Sequence, residues 1–154
     1  NKSTNQKFSM KSTIFTGLLS LALGLSLMSF MQSENKEEKA IRKVLQTFVE
    51  GGDQQDVSML EGVLHDAYRV VWNDPASGKV QVLDRATYLS FIEQKKFGGD
   101  TRKLKIESIS MQDASNASAK VYIDGEAADF MGLISLVKAD GQWQLVQDLT
   151  LMKK

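Results

Sequence analysis

Two apolar runs flank Asp140-Gly141 near the end of the chain. Asp-Gly favours a tight hairpin, because both central positions accept φ > 0. The first run, Met131 to Val137, is almost continuously apolar, the pattern of a strand covered on both faces. The second alternates: Trp143, Leu145, Gln147, Leu149 and Leu151 fall on one face, and Gln144, Val146, Asp148 and Thr150 on the other. A half-buried strand therefore closes the fold, and the elements upstream must cover its apolar side.

Those elements begin with a helical period. Ile41, Val44, Leu45, Phe48 and Val49 recur at i, i+3, i+4, i+7 and i+8, with Asn35 and Glu38 spaced as a capping box and Gly51-Gly52 as the stop. Ser58 to Glu61 repeats the capping-box spacing and predicts a short helix with Leu60, Val63 and Leu64 inward, closed by His65-Asp66. Tyr68 to Trp72 and Val80 to Leu83 read as a strand and its return across the turn formers Asn73 to Gly78. Asp84 caps a third helix with Tyr88, Leu89, Phe91 and Ile92 on its apolar face, stopped by Phe97-Gly98-Gly99.

From Arg102 onward the period is two. Leu104, Ile106 and Ser108 alternate with charges, then Ala119, Val121 and Ile123 alternate with polar residues, and Asp124-Gly125 marks a second hairpin turn. The order predicts an α+β fold, with three helices in the N-terminal half packed on a strongly curved, mostly antiparallel sheet.

Charge and composition narrow the function. Lys2, Lys7 and Lys11 precede residue 34 and no acid does, so of 19 basic and 19 acidic residues the segment 34–154 keeps 16 and 19. No basic patch with interleaved aromatics points to nucleic acid. The chain has no cysteine and a single histidine, which removes disulfides, thiol chemistry and multi-histidine metal sites within one chain. No cofactor and no metal is expected. The uncharged run Ile14 to Met31 behind a positive flank reads as a secretory signal, with a membrane anchor as the alternative. Residues 1–33 are thus a signal or anchor and residues 34–154 a single domain, exported to the periplasm or medium.

The stretch Ser135 to Val146, with Leu136-Val137-Lys138, Asp140-Gly141 and Trp143, resembles the C-terminal pattern of the bacterial putative lumazine-binding family. Gly51-Gly52-Asp53, Leu60-Glu61 and Leu64-His65 resemble its opening, and the likeness covers residues 36–152. The family is similar to nuclear transport factor two-like, cystatin-like α+β cones, which include ketosteroid isomerase and the SnoaL-like cyclases. The resemblance implies that cone-shaped fold, a small-molecule pocket and a homodimer. Where the family pattern carries an aspartate and an aromatic, this chain has Gly132-Leu133.

Few residues offer chemistry. Asp74-Pro75 resembles the base-proline pair of ketosteroid isomerase but falls about three positions late, so Asp74 is either a turn residue or a displaced base. His65 has a side chain suited to proton shuttling near neutrality, or simply closes its helix. Asp129 lies among Ala127, Ala128, Phe130 and Met131, facing either a pocket or a sheet edge. Trp72, Tyr88, Met131 and Trp143 are candidates, with Asp129, to line a cavity for a small apolar or aromatic ligand, or to be ordinary core.

A pocket-forming fold without a recognisable acid/base set favours an exported, non-catalytic binding domain. The alternatives are an isomerase- or cyclase-like enzyme using Asp129, Asp74 or His65, and a dimeric interaction module with Tyr122, Val146 and Met152 in an exposed patch.

Overall fold

The computed structural model describes residues 36–74 and 78–153, without the side chains of Asn73 and Asp74. The expected signal or anchor, residues 1–33, lies outside the described residues, as does the Asn35 cap. Helix α1 (36–54) presents Ile41, Leu45, Phe48 and Val49 to the core, all buried, as its 3.6-residue period requires. It does not stop at Gly51-Gly52. The helix runs on to residue 54, and Gln55 with φ 55° makes the turn. The two glycines instead allow close approach. A Cβ on Gly51 would lie 3.0 Å from Leu60, and the Gly52 carbonyl accepts the Gly99 N–H at 3.1 Å.

Helix α2 (Val57–Glu61) is capped by Asp56, whose carboxylate accepts from the Met59 N–H, and not by Ser58. It ends before Leu64, so His65-Asp66 belong to strand β1 (Leu64–Asp74) and close no helix. Strand β2 (Lys79–Asp84) pairs antiparallel with β1 and leads into α3 (Arg85–Glu93), capped by Asp84 through the Thr87 N–H at 2.8 Å. The remaining strands are β3 (Arg102–Met111), β4 (Asn116–Gly125), β5 (Asp129–Ala139) and β6 (Gln142–Lys153).

These six form one curved, unclosed sheet in the order β2-β1-β6-β5-β4-β3. Every neighbouring pair is antiparallel except β1 and β6. The three helices cover one face, giving the expected α+β architecture, and that face carries the core. Asp140 and Gly141 both take positive φ in the β5–β6 turn, as a two-residue hairpin with the right-handed strand twist needs. Asp124-Gly125 is not a turn. Both residues stay in β4, opposite Lys103 and Arg102, and the connection is made by residues 126–128.

Two β-bulges change which side chains face the core. In β6, Ser135 pairs with Gln147 and Leu136 with Leu145, leaving Val146 as an extra residue. Trp143 and Leu145 face inward before the bulge, and Asp148, Thr150 and Met152 after it. Gln147, Leu149 and Leu151 therefore do not share a face with Trp143, as a strict period of two implied. A second bulge at Glu107 exposes Ser108 and turns Ile109 and Met111 toward the core in β3. The apolar run in β5 is covered on one face only, since Leu133 is 51% exposed on the other.

Candidate functional site

The inner face of the sheet and the helices enclose a partly open cavity of about 280 Å³. β1 contributes Val70 and Trp72, α3 contributes Tyr88, and the starts of β3 and β5 contribute Arg102 and Phe130. The end of β6 adds Thr150 and Met152, and the segment after α3 adds Lys96, Phe97 and Gly98. Most of this wall is apolar or aromatic, and both charged lining residues are cations.

The aromatic side of the wall is held by ring packing. Tyr88 meets Tyr68 edge-on at 5.6 Å between centroids, Phe48 at 6.3 Å and Phe97 at 6.2 Å. Phe97 is fixed in turn by Phe91 at 5.1 Å and by its carbonyl, which accepts from the Gln55 amide at 3.0 Å. Gly98 and Gly99 take φ of 73° and 77° beside the end of α1, and a Cβ on Gly98 would overlap the Gly52 carbonyl oxygen. Arg102 ties β3 to α1. Its guanidinium pairs with Asp53 and donates to the Val49 carbonyl at 3.2 Å, and its backbone N–H donates to Asp53 at 3.1 Å.

Beneath this wall lies an acid. Asp148 is 8% exposed, and burial raises its carboxyl from 3.8 to about 7. Its Cα partners are Val70 and Ile134, so its side chain shares the concave face with the cavity wall. Asp148 Oδ1 and the Tyr68 hydroxyl are buried without a hydrogen-bond partner among the described residues. Burial, with Tyr88 and Asp148 nearby, pushes the Tyr68 hydroxyl well above its ordinary range. The Tyr88 hydroxyl is raised as well, mainly by burial, against the opposing charge of Arg102.

Of the residues expected from sequence, Trp72 and Tyr88 line the cavity. Met131 does not. It pairs with Tyr122 and Leu151 on the outer face, one residue out of phase with Phe130. Trp143 is a buried core residue at the opposite end of β6 from Thr150 and Met152. Asp129 is exposed at the start of β5 and accepts the Gly125 N–H at 3.2 Å, which fixes the β4–β5 connection. His65 accepts the Ala67 N–H on Nδ1 at 3.1 Å, a local strand contact. It lies next to Leu64, the partner of Leu145, whereas Asp129 pairs with Lys153, so the two stand at opposite ends of β6. Asp74 ends β1 opposite Lys79, and its side chain lies outside the described residues. His65 and Asp129 are thus not brought together at the cavity.

Asp148, Tyr68, Phe97 and Arg102 are site residues that the sequence pattern does not single out. Asp148 sits among apolar residues in a closing strand, which is a signal, but an unbroken period of two aims it at solvent. Phe97 was legible only as part of a helix stop.

Solved structures with this fold include an NTF2-like protein of unknown function from Shewanella baltica OS155. It is 21% identical, with a TM-score of 0.69 over 77% of this chain and 95% of that one. A protein titled a putative scytalone dehydratase, from Novosphingobium aromaticivorans DSM 12444, is 16% identical, with a TM-score of 0.65 over 80% and 89%. A domain of unknown function with a cystatin-like fold from Nostoc punctiforme PCC 73102 is 16% identical, with a TM-score of 0.60 over 76% and 77%. No curated protein matches the sequence. These likenesses establish an NTF2-like, cystatin-like fold, as the resemblance in the sequence implied. The sequence matches the family described as Putative lumazine-binding over residues 36–149, and the chain belongs to that family.

Proposed function

We propose that this protein is a non-catalytic binding domain whose cone holds one compact, planar, mostly apolar molecule. The single observation that carries this reading is the partly open cavity of about 280 Å³, walled by Trp72, Tyr88, Phe97, Phe130 and Met152. Its size lies near the low end for small-molecule sites, which fits a ligand of about two fused rings. The placement of His65 and Asp129 away from the wall supports binding over acid–base turnover. Native mass spectrometry of the protein, produced with its own N-terminal segment, tests the reading. A retained small molecule that is lost in a Trp72→Ala, Phe130→Ala variant supports it. A ligand retained equally by that variant refutes the assignment to this cavity. Export is part of the proposal. It rests on the run Ile14 to Met31 behind Lys2, Lys7 and Lys11, and cell fractionation tests it.

A homodimer formed through the outer sheet face is a second, compatible reading. One register row carries Val82, Val71, Leu149 and Leu133 across four neighbouring strands, and Leu149 and Leu133 are 41% and 51% exposed. This row, and not the expected grouping of Tyr122, Val146 and Met152, is the apolar patch. Met152 faces the cavity instead.

A further inference from the structure

Asp148 is an acid buried on the concave face of the sheet. Its Oδ1 lacks a hydrogen-bond partner among the described residues, and so does the Tyr68 hydroxyl, whose ionisation Asp148 disfavours by proximity. A buried polar atom left unpaired costs stability, so a pair of them beside a cavity is a feature to explain. The backbone opposite makes room for this carboxyl: a Cβ on Gly132 would lie 3.0 Å from Asp148 Oδ1. The cavity is next to it. Val70, its cross-strand partner, and Thr150, two residues along the same face, both line the wall.

We propose that Asp148, with the Tyr68 hydroxyl beside it, is the polar floor of the cavity, and that the ligand is an uncharged planar molecule whose carbonyl oxygen accepts a hydrogen bond from the neutral Asp148 carboxyl. The inference rests on the binding reading above and adds the ligand's class. Burial raises the carboxyl to about 7, so it keeps its proton, and can donate, in mildly acidic to neutral solution.

The groups around Asp148 agree. Tyr68 on β1 and Tyr88 on α3 are the titratable groups near it, and both have their hydroxyls raised. Gly132 and Ile134 on β5 carry no charge. Arg102 on β3 is engaged by Asp53. A cationic ligand, the other natural partner for a buried acid, would meet the two cations Lys96 and Arg102 on the cavity wall.

The experiment is calorimetric titration of the protein with 2-acetylnaphthalene and with 2-isopropenylnaphthalene, which replaces C=O by C=CH₂ at nearly constant shape. At about pH 5.5 the ketone binds roughly fivefold to tenfold tighter than the olefin, the worth of one buried hydrogen bond. By about pH 8.5 the advantage is gone, because the ionised carboxyl no longer donates. Asp148→Asn keeps an N–H donor and retains the preference with no pH dependence. Asp148→Leu loses the preference and still binds the olefin. Gly132→Ala crowds the carboxyl and weakens the ketone more than the olefin.

Equal affinity for both probes at every pH overturns the inference and leaves the binding reading standing. A ketone preference that grows with pH overturns it too, since the ionised form would then be the binder. Binding of neither probe removes the cavity reading and this inference with it. A Leu variant that fails to fold leaves the Asn pH profile to decide.

Discussion

Replacing Asp148 by asparagine makes the protein more stable in neutral solution, by an amount that grows with pH. The carboxyl is 8% exposed and its pKa rises from 3.8 to about 7 through desolvation. The native state therefore keeps a proton that the unfolded chain releases between these two values, and native stability falls as pH rises through that window. At about 1.4 kcal/mol per unit, roughly 4 kcal/mol is lost by pH 8 relative to pH 4, and little of it below pH 4. The asparagine amide does not titrate and carries none of this loss.

Urea unfolding of both proteins at about pH 4, 5.5, 7 and 8.5 measures the difference at each pH. Subtraction cancels the surface carboxylates, which act with the opposite sign. Asp56, Asp84, Asp100 and Asp113 are held below the ordinary carboxylate value, chiefly by hydrogen bonds from the Ser58 hydroxyl and from the Thr87, Ala127 and Ser115 N–H groups respectively. Their stabilisation is lost as pH falls, equally in both proteins. A stability difference between variant and parent that stays flat from pH 4 to 8.5 refutes the assignment of a desolvated acid at position 148.

Other perturbations follow from the same geometry. Gly98→Ala forces a Cβ onto the Gly52 carbonyl at φ 73°, and is expected to cost more than about 2 kcal/mol in urea unfolding. Gly78→Ala, at φ 66° but in open space, costs about 1 kcal/mol and serves as the comparison. Asp53→Ala leaves the largely buried Arg102 guanidinium with the Val49 carbonyl alone, and lowers stability by about 2–3 kcal/mol. Because Arg102 lines the cavity, the same variant weakens naphthyl ketone binding in the calorimetric titration. Leu133→Lys on the outer face leaves the melting temperature within a few degrees, and the proposed homodimer predicts that it shifts sedimentation velocity from dimer to monomer. A dimer that survives this substitution rules out the row through Leu133 as its interface.

Much of the architecture was legible in the chain. Ile41, Leu45, Phe48 and Val49 identify α1, because an apolar stripe at 3.6 residues has nowhere to go but a core. Ala119, Val121 and Ile123 identify the buried face of β4, and Asp140-Gly141 identifies the turn, because two successive positive φ angles suit those residues. Element ends were less legible. Gly51-Gly52 has the composition of a helix stop, but contact with Leu60 and Gly99 lets the helix continue through it. Trp72 and Tyr88 were readable as cavity residues, since each is aromatic on an inward face.

The floor of the cavity was decided by tertiary structure alone. The sequence determines that β6 alternates, but not where the alternation slips, because a bulge is set by how two paired strands accommodate the curvature of the sheet. Inserting Val146 moves Asp148 from the solvent face to the concave face, and moves Leu149 and Leu151 outward. With Asp148 turned inward, β1 and β5 bring Val70 and Gly132 against it, and burial raises its pKa. A property that depends on three strands in register cannot be carried by the residues of any one of them.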